Sequence, residues 1–341
     1  MRRPRQTSSD STTDPEATGR TGGRVTIRDV ARSAGVSIGT VSRALNGRAG
    51  VHPDTRRRVS AAVAALGFDP DQTARELSNR RPVRVGLSVA HGHRRLIPFF
   101  VLFHEHLLDA LASSGFRVHD VPTGADGLPT EEADVFVLLG AHPDDPRITH
   151  LQGLGRPVVL IGQRSAVFSV AADDVLGGRL AAEHLLRLGH REILHVTGDL
   201  HSQAFADRAE GFAQALRDAD VAIAKPLVCD DLTALGAYRA LRRHLDAGGR
   251  PSAVFAGTDE MAVGCRTAAL DAGLAVPVDL SVVGFDDMPE IGAGLTTVRQ
   301  DISELARVAV ELIHEALGGH SARTVRLPVH LITRGSTAER R

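Results

Sequence analysis

Long apolar runs are missing from this 341-residue chain. No stretch of 18 or more apolar residues occurs, so no transmembrane helix and no membrane partner are expected. The N-terminus carries arginines but no apolar h-region, so a secretory signal is not expected either. Cysteine is scarce. Cys229 and Cys265 stand in unlike contexts and form no Cys-x-x-Cys pair, which speaks against a disulfide framework or structural zinc and for a reducing, cytoplasmic setting. There is no phosphate-cradling glycine loop, no Gly-x-Ser-x-Gly elbow and no nucleophile with a base, so neither an enzyme nor a cofactor is expected. The pairs His91/His93 and His104/His106 are spaced i, i+2, which do not face each other on a helix. No Cys or carboxylate joins them at a zinc spacing, and they read as solvated or cleft-lining residues rather than metal ligands.

What is present is an uneven charge. Residues 24 to 81 hold eleven arginines, no lysine and five acids, net +6, whereas residues 82 to 341 carry −8 of a whole-chain −1. A basic head on an acidic body fits a phosphate-facing module joined to a domain with another task. Residues 1 to 23, rich in Ser, Thr, Arg, Asp and Gly, read as a disordered tail that adds weak, nonspecific attraction to DNA.

The head itself predicts a helix-turn-helix. Thr26 fits an N-cap with Asp29 three residues on, a capping box that sets a carboxylate at the positive end of a helix. Ile27, Val30, Ala31 and Ala34 then form an apolar stripe. Gly35 frees the backbone for a tight turn, and Ser37 caps a second helix over residues 38 to 46. Val41, Ala44 and Leu45 of that helix face inward, while Ile38, Gly39, Ser42 and Arg43 face outward as candidate groove readers. A third helix starts at Pro53 and Asp54 and runs through Val59, Ala62 and Leu66 to Gly67. The alternative, a helical hairpin in some unrelated core, is opposed by the third helix and by the charge.

The segments Thr26-Ile27-Arg28-Asp29-Val30-Ala31, Ala34-Gly35-Val36-Ser37, Thr40-Val41-Ser42-Arg43 and Leu45-Asn46 resemble the lactose repressor (LacI) family of bacterial transcription regulators. The resemblance spans nearly the whole chain. It implies that Thr26, Ser37, Ile38, Gly39, Thr40, Ser42, Arg43 and Asn46 meet a double-stranded DNA operator. After Leu66-Gly67-Phe68-Asp69-Pro70, where Asp71 takes the place of the family's Asn, Ala74-Arg75-Glu76-Leu77 is similar to the family's hinge helix. That likeness places Ala74, Leu77 and Ser78 at the DNA, with Leu77 as a minor-groove wedge. The segment from Asp71 to Asn79 is too short to be a stable helix alone in water. It would fold when DNA and a second copy pack against it, and the wedge costs a few kcal/mol of unstacking that the new contacts offset. The alternative for Leu77 is an ordinary linker leucine.

From Pro82 onward, apolar runs at 83–89, 135–139, 158–161, 193–196, 253–256 and 281–285 alternate with helical patterns at 99–113, 177–188, 208–219, 234–247, 259–272 and 302–317. Such βα alternation predicts doubly wound parallel sheets with ligands at the carboxyl ends of the strands. With 43% hydrophobic residues the chain can bury a sizeable core, and twelve elements exceed one sheet. The resemblance implies two periplasmic-binding-protein-like subdomains joined by three crossovers, with an effector between them. The expected domains are thus the tail 1–23, a three-helix headpiece 24–70, a hinge helix and linker 71–81, and an effector-binding and dimerisation domain 82–341. Gly177-Gly178 reads as a close approach of helix and strand, and Leu188-Gly189-His190 as a helix stop.

Three positions match where the family binds its effector. Arg208 offers the fixed fork of guanidinium donors, Asp286 follows a buried strand, and Thr258 stands where Asn is common. His91 and Phe99 complete the expected effector set, although the run Phe99, Phe100, Phe103 reads mainly as core or dimer interface. For Arg208 and Asp286 the alternative is a salt bridge holding the crossovers. The chain departs from the family in having Gly162-Gln163 in place of an aspartate, in a segment from Val121 to Val135 too short for a full helix, and in the basic loop His91 to Arg95, which suggests an anionic effector or a lost one. Taken together, the resemblance implies an effector-modulated repressor on a pseudopalindromic operator, its effector a sugar or related metabolite. It would work as a homodimer, cytoplasmic and at the nucleoid when bound. No leucine heptad follows Arg334-Gly335-Ser336-Thr337, so tetramers are not expected. A solute-binding receptor, the second function class in view, is opposed by the headpiece.

Overall fold

The computed structural model describes residues 27–37, 40, 41, 44, 52–66, 82–90, 98–112, 114–142, 144–229 and 231–340. The expected tail, the hinge helix and the His91 to Arg95 loop lie outside these residues. So do the site residues Thr26, Ile38, Gly39, Ser42, Arg43, Asn46, Ala74, Leu77, Ser78 and His91. The chain divides into two compact units after Arg81.

In the first unit, α1 (Ile27–Ala34) and α2 (Pro53–Leu66) flank the helical residues Thr40, Val41 and Ala44. Gly35 takes φ +65°, a left-handed turn that glycine adopts without a Cβ clash. The Ser37 hydroxyl accepts the Thr40 N–H at 3.2 Å, and the Ser37 carbonyl accepts the Val41 N–H at 3.1 Å, so Ser37 caps the segment as its residue type suggests. Val30, Ala31, Ala34, Val41, Ala44, Val59 and Ala62 close a small core among the three. Asp29 pairs with Arg32 at 3.1 Å on the outer face.

The second unit holds two six-stranded sheets. Its elements in chain order are β1 (Arg84–Val89), α3 (Pro98–Leu111), β2 (Arg117–Asp120), β3 (Val135–Leu139), α4 (Pro146–Gly153), β4 (Val158–Ile161) and β5 (Phe168–Ala172); then α5 (Asp174–Arg187), β6 (Ile193–Thr197), α6 (Gln203–Asp218), β7 (Leu227–Val228), α7 (Ala234–Asp246), β8 (Ala253–Ala256), α8 (Asp259–Asp271), β9 (Ser281–Asp286), β10 (Thr296–Gln300), α9 (Ile302–Leu317), β11 (Thr324–Leu327) and β12 (Val329–Ile332). One sheet runs β11-β5-β4-β3-β1-β2, the other β12-β10-β9-β8-β6-β7. All pairings are parallel except β10 with β12. Asp173, Asp301 and Pro328 are therefore the three points where the chain passes from one sheet to the other.

Six strands and α4 were not among the elements expected from apolar runs. β2 is largely exposed, β7 is two residues long, and β10 mixes Thr, Arg and Gln, so none shows a continuous apolar signal. α5 and α6 begin at Asp174 and Gln203, earlier than the apolar periodicity suggests; the Asp173 side chain caps α5 by accepting the Leu176 N–H, whereas Ser202 precedes α6 without a side-chain cap. Between Val121 and Val135 there is no helix, only a Thr123–Pro129 bridge.

Only Gly177 meets a strand as expected: a Cβ there would lie 2.5 Å from the Phe285 ring on β9. Gly178 instead faces a helix. Its Cβ would lie 1.9 Å from the Arg208 carbonyl, and a Cβ on Gly211 would lie 1.8 Å from the Val175 carbonyl. The two glycines let α5 and α6 touch backbone to backbone, which fixes where Arg208 sits. We expect Gly211→Ala to drive the helices apart at a cost of about 1–3 kcal/mol, read as a lowered urea midpoint at unchanged m-value. Wild-type stability in that variant would contradict the close contact.

Candidate functional site

A cavity of about 570 Å³ opens between the two subdomains at the carboxyl ends of their strands. Its N-terminal wall includes Phe99 of α3 and Gly162 and Gln163 after β4. Its C-terminal wall includes Arg208, Thr258 and Asp286. The structure thus brings together every expected effector residue that it describes.

Arg208 is 5% exposed and fully engaged on one side. Nε donates to Asp174 Oδ1 at 2.8 Å, Nη1 donates to the Gly257 carbonyl at 2.7 Å, and the guanidinium lies 3.6 Å from the centre of the Phe285 ring. Asp286 Oδ1 is 3.9 Å from Nη1 and accepts from Gln300 Nε2 at 2.6 Å. Both readings of Arg208 hold at once: it lines the cavity, and it is ion-paired to the first residue beyond the Asp173 crossover. Gln300 immediately precedes the Asp301 crossover, so Asp286 is tied to the second.

Asp286 and Asp287 take φ +113° and +58°, unusual for residues with a Cβ. The surroundings over-determine the bend. Asp287 accepts from Arg299 and Arg334 at 2.6 Å each, while Asp259 accepts the Met288 N–H at 2.7 Å and the Thr297 hydroxyl at 2.6 Å. Thr258 caps α8, its hydroxyl oxygen accepting the Met261 N–H at 3.1 Å, so what it can offer a ligand is its O–H. Phe99 stacks at 6.3 Å on Phe103, which with Phe100 belongs to the core as expected, leaving Phe99 at the cavity.

Asp174, Gln203 and Gln300 were missed from sequence. Asp173-Asp174 carries only a capping signal, Gln300 lies inside a family motif, and Gln203 has no local signal at all. The departure at Gly162-Gln163 is visible in sequence, and both residues face the cleft. Among the described residues no group of three or more His, Cys, Asp or Glu could hold a metal ion, and no helix is long and apolar enough to cross a membrane.

Burial pushes the Asp286 carboxyl up to about 7 against the pull of Arg208, and burial likewise raises Asp174. A raised carboxyl binds its proton more tightly in the folded chain, so stability falls as pH rises from the ordinary Asp value toward 7. His184 and His195, lowered by burial to about 4 and about 3, work in the opposite sense. Comparison of Asp286→Asn with wild type isolates the carboxyl. The loss between pH 5 and pH 8 should be smaller in the variant by roughly 2–3 kcal/mol, measured by urea unfolding at each pH. Parallel curves would mean that Asp286 stays charged throughout.

The family model "Bacterial regulatory proteins, lacI family" matches residues 26–71, and "Periplasmic binding protein-like domain" matches 182–337. The HTH-type transcriptional regulator CelR of Thermobifida fusca is 32% identical over 92% of this chain and 98% of its own length. Among solved structures, the CelR–cellobiose complex is similar with a TM-score of 0.69 at 30% identity, covering 92% of this chain and 100% of that one. The Lac repressor dimer bound to operator and the anti-inducer ONPF gives 0.66 at 25% identity, covering 93% of this chain and 100% of that one. With headpiece, cleft and whole-length likeness in agreement, this chain belongs to the LacI family of bacterial regulatory proteins.

Proposed function

We propose that this DNA-binding transcriptional regulator is a repressor acting as a homodimer on a pseudopalindromic operator, and that a sugar or related metabolite in the cleft sets its operator affinity. It is not an enzyme; its family is one of regulators. The observation that carries the reading is one chain holding both a headpiece of the lacI type and a polar cleft whose Arg208 and Asp286 are tied to the crossovers. The cellobiose in the similar CelR complex supports a sugar-sized occupant. Such a regulator works in the cytoplasm, at the nucleoid when DNA-bound.

Two symmetric headpieces explain the pseudopalindrome. Thr26, Ser37, Thr40 and Asn46 take phosphate and groove contacts, Ile38 touches a thymine methyl, Ser42 and Arg43 read base edges, and Gly39 leaves room. Ala74, Leu77 and Ser78 form the hinge contact. His91 joins Phe99, Arg208, Thr258 and Asp286 around the effector. An effector that prefers one degree of closure moves the points where the two Pro82 ends leave the body, and the hinge helices pair at only one separation.

The operator is found by selection from a random DNA library. On that operator, Arg43→Ala should lose about tenfold or more in affinity, the range of a lost bidentate guanine contact, and Gly39 substitutions should shift sequence preference. Unchanged affinity for Arg43→Ala would remove the recognition-helix assignment. A thermal-shift screen of metabolites, with cellobiose included, identifies the effector. Asp286→Asn should then leave effector-free operator affinity near wild type and abolish the effector's influence on it in a fluorescence titration. It is the cleaner variant, because Arg208→Ala also strips buried Asp174 of its partner. A wild-type response would move the effector site away from this cleft.

A further inference from the structure

We propose that Gln203 is a positioning residue whose side-chain amide clasps the two subdomains together before any effector arrives, setting the spacing at which both walls meet a ligand. The proposal rests on the reading of the cleft as the effector site. Gln203 is the first residue of α6, in the C-terminal subdomain, yet its Oε1 accepts the backbone N–H of Gln163 at 2.8 Å, just beyond β4 in the N-terminal subdomain. The other end of the amide donates to Asp207, one turn further along α6, which fixes its orientation so that the oxygen faces across the cleft.

The opposite side is shaped to receive it. Gly162 takes φ +145°, a conformation strained for any side chain, and a Cβ there would be in van der Waals contact with Gln203 Oε1 at 3.4 Å. The Gln163 side chain turns away from the clasp and accepts from Arg326 Nη2 at 2.9 Å. Arg326 lies on β11, two residues before the Pro328 crossover. The flanking loops also lie close across the cleft. Asp199, after β6, is lowered chiefly by the His201 N–H, and His142 of the facing wall adds to the effect. Where the family has an aspartate, Gly162-Gln163 thus places no acidic side chain beside Gln203, whose Oε1 meets the backbone N–H of residue 163.

Water competes for both partners when the cleft opens. The net worth of one such bond corresponds to about a fivefold change in the ratio of closed to open forms. A bias of that size holds the cleft nearly closed without preventing entry of a ligand.

The test uses the full chain without operator or effector. Spin labels on Asp144→Cys and His201→Cys, both exposed and on facing loops, report cleft width by double electron–electron resonance, and native Cys229 and Cys265 are buried. Gln203→Met should shift the distances longer and lower the closed-to-open ratio about fivefold. Gln203→Glu keeps an acceptor oxygen but cannot donate to Asp207, so its distribution should fall between wild type and Gln203→Met. Gln163→Ala should keep the wild-type distribution, because the donor is the backbone N–H. If Gln203→Met unfolds, Gln203→Ala is read in its place. A Gln203→Met distribution that superimposes on wild type, or a Gln163→Ala chain that opens as far as Gln203→Met, would overturn the clasp. Neither operator nor effector enters the measurement, so that failure leaves the repressor reading standing, whereas failed operator selection leaves the clasp standing.

Discussion

The buried pair of Arg208 and Asp174 is the interaction on which the rest of the core depends. A guanidinium this deeply buried is tolerated only when its donors are satisfied, and here one goes to a carboxylate and another to the Gly257 carbonyl, with an aromatic face beneath. The three partners come from three places: the start of α5 at the first crossover, the turn after β8, and the carboxyl end of β9. One side chain therefore fixes the geometry of the cleft wall and of the hinge together. Asp286 extends the network through Gln300 to the second crossover. Residues that line the cleft and residues that hold the crossovers thus share one hydrogen-bond network.

That arrangement needs α6 at the right height, and two glycines supply it. Gly178 and Gly211 let α5 and α6 approach until each helix's carbonyls fill the space where the other's Cβ would be. Side chains of any size would lift Arg208 away from Asp174 and Gly257. The bend at Asp286-Asp287 is held from the far side by Arg299, Arg334 and Asp259, so its strain is carried by a ring of charge-assisted hydrogen bonds rather than by the ligand site. His190 does similar work at the base of the sheet, bonding Ser252, Ser281 and the Ala338 carbonyl and so fixing the chain's final segment against β8 and β9.

Carboxyls outnumber the guanidinium on the C-terminal wall of the cleft, while Arg164 and His142 line the facing wall. Asp174 and Asp286 face one buried guanidinium, and burial raises both carboxyls in response. The described part of the wall is thus rich in acceptors on the C-terminal side, a setting suited to hydroxyl groups. The basic loop that suggested an anionic effector lies outside the described residues, and the described cleft sets two carboxyls with Arg208 on one wall against Arg164 and His142 on the other.

Sequence alone determined the helix-turn-helix order, the alternation of strand and helix, and the identity of Arg208, Thr258 and Asp286 as cleft residues. The first two are local, carried by a cap, an apolar period or a Gly turn, and the three cleft residues follow from the resemblance to the LacI family. Sequence alone could not determine β2, β7 or β10, whose short or mixed runs become strands only because a neighbouring strand takes up their backbone hydrogen bonds. Nor could it show that Asp174 would meet Arg208 from 34 positions away, that Gly178 would pack on a helix rather than a strand, or that Gln203 would reach Gln163 across the cleft. Those pairings were decided by tertiary structure, because a hydrogen bond or a close backbone contact between distant segments depends on where two independently formed elements come to rest, and no residue's own neighbours record that distance.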